Sequence, residues 1–119
     1  MVCDGGQVLI YKILLPSEWA EFEAVGRFDG SPFDCSSGFI HCSTREQVAD
    51  TVARVFGQEP TLGVVAVETE ALGEAVRWEE APNRGGTFPH VYGPLPKVAV
   101  AAVYEAAGAS AVDGVLPLD

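Results

Sequence analysis

The chain is poor in positive charge. Only 7 Lys and Arg stand against 17 Asp and Glu in 119 residues, a net charge of -10. A surface of that sign cannot neutralise phosphates, which argues against nucleic acid or an anionic membrane as partner. Cysteine is scarce as well: Cys3, Cys35 and Cys42 are odd in number and form no C-x-x-C pair. Neither a disulfide framework nor a zinc ribbon is therefore expected. No apolar run approaches 18 residues, and Asp4, Gly5 and Gly6 interrupt the N-terminus where a signal peptide would carry its apolar stretch. The expectation is a soluble, cytoplasmic protein. The G-x-S-x-G, P-loop and G-x-G-x-x-G patterns are missing, so serine-hydrolase, NTPase and Rossmann readings lack support. Histidine is limited to His41 and His90, and any imidazole chemistry must run through those two.

What is present is an ordinary globular composition. With 48% hydrophobic and 20% charged residues, the chain can close one core without staples, and residues 1–119 are read as a single domain. Residues 8–15 (VLIYKILL) have the profile of a largely buried strand with one charge in it. Pro16 suits the first position of a helix, Trp19, Phe22 and Val25 form one apolar stripe, and Gly26 is a C-terminal cap. Residues 27–37 (RFDGSPFDCSS) read as a loop from their Gly, Pro, Ser and Asp content. Ser43 with Glu46 reads as a capping box opening a helix whose apolar face is Val48, Val52, Val55 and Phe56. Strands are expected at 38–42, 62–68, 75–79, 87–93 and 97–105, with no strong pattern after Ala106. Strands interleaved with two or three short helices predict an α+β fold with a mixed or antiparallel sheet.

Two clusters carry the chemistry, GFIHCST at 38–44 and FPHVYG at 88–93. Side chains alternate along an extended segment, so Phe39, His41 and Ser43 share one side and Ile40 and Cys42 the other. By the same rule Phe88, His90 and Tyr92 share a side, opposed by Pro89 and Val91. Each histidine thus has a hydroxyl residue two positions on. Ser43 at a helix start would let backbone N–H groups receive an anionic ligand group, and it reads equally as an N-cap alone. The histidines and Tyr92 read alternatively as satisfied core residues. Cys42 points away from His41, which argues against a metal site and a Cys–His nucleophile and makes it a small buried hydrophobe; Cys35 is the better reactive thiol. Glu79 follows Trp78 at a strand end just before a Gly-containing loop bearing Arg84. It is the candidate catalytic carboxylate or, alternatively, an exposed strand-end acid; the loop is a lid or a simple turn.

The ordered set IYKIL, Trp19 with Phe22, GFIHCST followed by Gln47, AVE, WE and FPHVYGPLP resembles the bacterial family of domain of unknown function 952, over about residues 9–105. That family is similar in fold to the ADP-ribosyltransferases, which implies two short, roughly perpendicular sheets with an NAD-binding cleft between them. The resemblance implies that His41 and Ser43 form the His-x-Ser element contacting a ribose, with His90 and Tyr92 across the cleft. NAD is the implied cofactor. The candidate catalytic residues are His41, Glu79 and His90, and the candidate ligand contacts are Phe39, Ser43, Trp78, Arg84 and Tyr92. The reaction implied is glycosidic-bond cleavage or ADP-ribosyl transfer; the alternative is a non-catalytic small-ligand sensor on the same fold. The scarcity of cations argues against RNA as the substrate.

Overall fold

The apolar run at 8–15 folds as strand β1 (Leu9–Leu14), the first element of a computed structural model that describes residues 8–81 and 85–117. The N-terminal Cys3, Asp4, Gly5 and Gly6, and Arg84 in the later loop, lie outside the described residues. β1 pairs antiparallel with β4 (Leu62–Glu68), and β4 pairs antiparallel with β8 (Val100–Ala106). This three-stranded sheet has a packed layer on each face. Ile10, Leu14, Val65 and Val67 join one core, while Tyr11, Ile13, Leu62, Val64 and Ala66 join the other. Burial on both faces is the reason β1 and β4 read as near-continuous apolar runs rather than alternating ones.

The first core is closed by helix α1 (Pro16–Val25), the two-stranded pair β2 (Arg27–Phe28) with β7 (Leu95–Pro96), and a second three-stranded sheet. Pro16 opens α1, and Gly26 ends it at φ 93°, a left-handed cap that only glycine adopts without strain. Phe22 is 1% exposed and packs edge-on to Trp19 at 5.3 Å and stacked on Phe28 at 5.9 Å. Val25, expected on the same stripe, is exposed. The second core is closed by α3 (Val48–Val55), through Val48 and Val52, and by α5 (Val112–Val115) with Leu116. Arg45, buried beneath this C-terminal segment, donates to the carbonyls of Asp113 and Pro117 and pairs with the Asp113 carboxylate at 2.8 Å.

The second sheet has the order β3-β6-β5, all antiparallel, from β3 (Ile40–His41), β6 (Thr87–Val91) and β5 (Val76–Glu80). The fold is therefore α+β, and the described residues form three antiparallel sheets where two were expected and five short α-helices where two or three were expected. Much of the extra structure comes from segments of four to six residues, such as α4 (Thr69–Leu72), which are too short to leave a periodic signature. Residues 27–37 are not a loop. Ser31 caps a helix, α2 (Pro32–Ser37), by accepting the Asp34 N–H, and the Asp34 carboxylate accepts the Ser31 N–H in return. The expected Ser43–Glu46 capping box is displaced by one position. Thr44 and Gln47 make it, while Ser43 stays extended and exchanges both backbone hydrogen bonds with Tyr11. Ser43 is taken by the neighbouring strand before it can start a helix. No helix among the described residues is long and apolar enough to cross a membrane.

Candidate functional site

His41 and His90 are direct cross-strand partners. The register of β3 against β6 pairs Ile40 with Val91 and His41 with His90. Ile40 and Val91 turn into the first core, so both histidines must turn to the opposite face, where opposed side chains meet. Their ring centroids are 5.6 Å apart, edge to face. Phe39 covers both, at 4.6 Å from the His41 ring and 4.1 Å from the His90 ring. Phe33, from α2, stacks on the outer side of His41 at 4.6 Å and is 66% exposed.

Each imidazole is held by a carboxylate on the same ring atom. Asp34 Oδ1 lies 2.7 Å from His41 Nδ1, and Glu79 Oε1 lies 2.7 Å from His90 Nδ1. An ionised carboxylate only accepts, so Nδ1 carries the proton in both rings and Nε2 is the nitrogen left for a ligand. The two supports differ in kind. Asp34 is 2% exposed and also receives the His41 backbone N–H at 3.1 Å and the Lys12 ammonium at 2.9 Å. Burial raises the Asp34 pKa, but the His41 hydrogen bond, the Lys12 charge and the Ser31 N–H outweigh it and hold the carboxyl well below its usual range. Lys12 itself is 6% exposed and additionally donates to the His41 carbonyl at 2.9 Å. Glu79 is more open. It accepts the Tyr92 hydroxyl at 2.8 Å as well as His90, and these two hydrogen bonds lower its pKa. The same bond to Glu79 raises the Tyr92 phenol, and the Arg77 guanidinium sits 4.5 Å over the Tyr92 ring.

Both histidines lie on the wall of a cavity of about 660 Å³, a size typical of small-molecule sites. Its remaining wall is mostly apolar, with Ile13, Phe33, Val55, Phe56 and Phe88, and its polar members include Lys12, Glu18, Asp34, Ser43 and Thr51. Ser43 Oγ and Thr51 Oγ1 are 3.1 Å apart, a hydroxyl pair on the lining. Among the described residues no group of three His, Cys, Asp or Glu is disposed to hold a metal ion.

The structure brings His41, His90, Phe39, Ser43, Glu79 and Tyr92 into one neighbourhood, with Glu79 and Tyr92 behind His90 rather than on the cavity wall. It does not bring Trp78 there. Trp78 pairs with Pro89 on β6, one residue out of phase with His90, and so stands on the other face of the sheet. Arg84 lies outside the described residues. Lys12, Asp34, Phe33 and Thr51 are site residues the motifs missed. A lysine inside an apolar strand was the available signal for the first two, because a buried ammonium needs a buried anion.

The thiols separate as expected from their positions. Burial pushes Cys42 up to about 12, against the Lys12 charge, whereas Cys35 is exposed. Maleimide labelling of the native protein followed by peptide mapping is expected to modify Cys35 and leave Cys42 untouched until the chain is unfolded. Equal native labelling of both would contradict this packing.

Comparison with known proteins supplies the relationship. Residues 13–103 match the family model described as protein of unknown function (DUF952). A crystal structure of protein CC0527 from Caulobacter crescentus is 44% identical with a TM-score of 0.77, the alignment covering 82% of this chain and 84% of that one. A solution NMR structure of CC0527 is 45% identical with a TM-score of 0.71, covering 83% of each chain. No curated protein matches the chain. With the family model covering most of its length, this chain belongs to the DUF952 family.

Proposed function

We propose that this domain is ADP-ribosyltransferase-like and that its cleft takes a nucleotide-related ligand, with His41 and His90 as an acid–base pair at a glycosidic bond. One observation carries the reading: two cross-strand histidines, each with Nδ1 held by a carboxylate, line one largely apolar cavity. A pair sharing one proton can cleave an N-glycosidic bond by hydrolysis. The bond's electrons leave with the base, which takes the proton from one imidazolium, while water adds to the sugar carbon and gives its proton to the other, neutral imidazole. Phe33 and Phe88 supply ring contact, and Ser43 with Thr51 supplies hydroxyl partners. Glu79, expected as the carboxylate beside the sugar, is bonded to His90 and Tyr92, and in this reading its role is to hold His90. For NAD, the apolar wall would take the rings and the hydroxyl groups the riboses. The NAD diphosphate meets no unpaired cation among the described lining residues, because Lys12 is bound to Asp34.

A sensor without chemistry is the second reading, favoured by one observation. Asp34 and Glu79 are both engaged by histidines, and Glu18 accepts the Leu15 N–H at 2.9 Å, so each of these acids among the described residues already has a partner. The test is a thermal-shift screen with NAD, ADP-ribose and simple nucleosides and nucleotides, paired with chromatographic detection of released base. Binding at 100 times the dissociation constant raises stability by about 2.7 kcal/mol. For an enzyme, His41→Asn and His90→Asn are each expected to lower turnover by about 10²–10⁴-fold while binding persists. Binding without base release selects the sensor, and turnover unchanged in both variants removes the acid–base pair.

A further inference from the structure

The mismatch between this cleft and a diphosphate is itself informative. Three charged side chains stand on its described lining: Lys12, Glu18 and Asp34. The Lys12 ammonium donates to Asp34 Oδ1 at 3.2 Å and to the His41 carbonyl at 2.9 Å and lies 2.9 Å from Asp34 Oδ2, so its charge is paired within the fold. With that pair cancelled, Glu18 is left as the net charge, and it is negative.

Backbone N–H groups, the other common phosphate holder, are partly engaged at the two helix starts beside the lining, by their own capping boxes. At α2 the Ser31 and Asp34 N–H groups bond within the capping box, and Pro32 has none. At the turn after Ser43, Thr44 and Gln47 satisfy each other in the same way. A phosphate entering here would lose part of its water without meeting an unpaired lysine or arginine among the described lining residues, and would sit near the Glu18 carboxylate. Uncharged hydroxyls face no such barrier. The histidines, tied at Nδ1, offer Nε2 as hydrogen-bond partners, the Ser43–Thr51 pair adds two hydroxyls, and Ile13, Phe33, Phe56 and Phe88 provide apolar surface for a ring.

We infer that the cleft selects an unphosphorylated, nucleoside-class ligand, a ring bearing sugar hydroxyls, and leaves any phosphate outside. This rests on reading the cleft as a nucleotide-related site and names the part of the ligand it recognises.

The experiment titrates adenosine, guanosine, cytidine and uridine against the corresponding 5′-monophosphates, followed by amide shifts at 38–44 and 87–91 and by thermal stabilisation. At least one nucleoside is expected to bind tenfold or more tightly than its own monophosphate. The gap should narrow in Glu18→Gln, whose amide oxygen can still accept the Leu15 N–H, and at raised ionic strength. A monophosphate that binds as tightly as its nucleoside overturns the inference and leaves the nucleotide-related reading standing. A gap unchanged in Glu18→Gln overturns the charge argument. If no nucleoside and no monophosphate shifts these amides, the inference and the reading fall together.

Discussion

Replacing Asp34 with asparagine is expected to destabilise the protein by about 3–5 kcal/mol, because it strands the Lys12 ammonium in the core. In a domain of this size that corresponds to a fall in Tm of roughly 10–20 °C. The loss is larger than a missing surface ion pair would cause because the Asp34 carboxylate is surrounded by donors. Oδ1 accepts from Lys12, the His41 N–H and His41 Nδ1, and Oδ2 accepts the Ser31 N–H and lies 2.9 Å from the Lys12 ammonium. Asparagine turns one of those oxygens into a donor facing donors. His41 would lose the group that sets its tautomer, so ligand affinity should fall in the same variant.

The pH dependence has a definite sign. The folded-state pKa of Asp34 lies below its unfolded value of about 3.9. Its contribution is therefore complete above about pH 5 and is lost as the pH falls through the folded-state value. Urea denaturation of wild type and Asp34→Asn across pH 3–7 should show the gap between them shrinking at the acid end. The double variant Lys12→Met with Asp34→Asn should be less destabilised than the sum of the single changes, since it removes the stranded charge. Additive losses, or an Asp34→Asn variant within about 1 kcal/mol of wild type, would refute a buried charged pair.

Phe22→Ala is expected to cost about 3–5 kcal/mol through the cavity it leaves. Phe22 is fully enclosed between Trp19 and Phe28, and the core it fills also holds Ile40 and Val91, the residues whose burial turns His41 and His90 to the other face. The chemical midpoint should drop with an unchanged m-value, and Phe22→Leu should recover much of the loss by keeping volume. A loss below about 1 kcal/mol in the alanine variant would mean that the site closes over, contrary to the packing described.

The histidine pair is legible in the amino-acid sequence because strand parity is a local property. Once Ile40 and Val91 go inward, Phe39, His41 and His90 must share the outer face. Parity alone does not exclude Trp78 from the site, because its face on β5 follows from the register against β6, which is a tertiary property. The ends of α1 are legible for the same reason as the histidines, since Pro16 and Gly26 act on their own dihedral angles. The capping of the turn after Ser43 is not. Ser43 and Thr44 are nearly equivalent caps, and the choice falls to Tyr11, 32 positions earlier in the chain, which takes both backbone groups of Ser43.

Local chemistry along the chain therefore settles an α+β protein with few cations, two histidine-bearing strands and a cysteine turned away from them. Its acidity sets the expectation that phosphate-rich polymers are not its partners. Tertiary closure settles the remainder: the cross-strand register of His41 against His90, the capture of Asp34 by Lys12 at 22 positions' separation, and the placing of Glu79 behind His90. Propensities and caps act over three or four residues, whereas a buried ammonium finds its carboxylate only when distant segments are brought together and water is excluded between them.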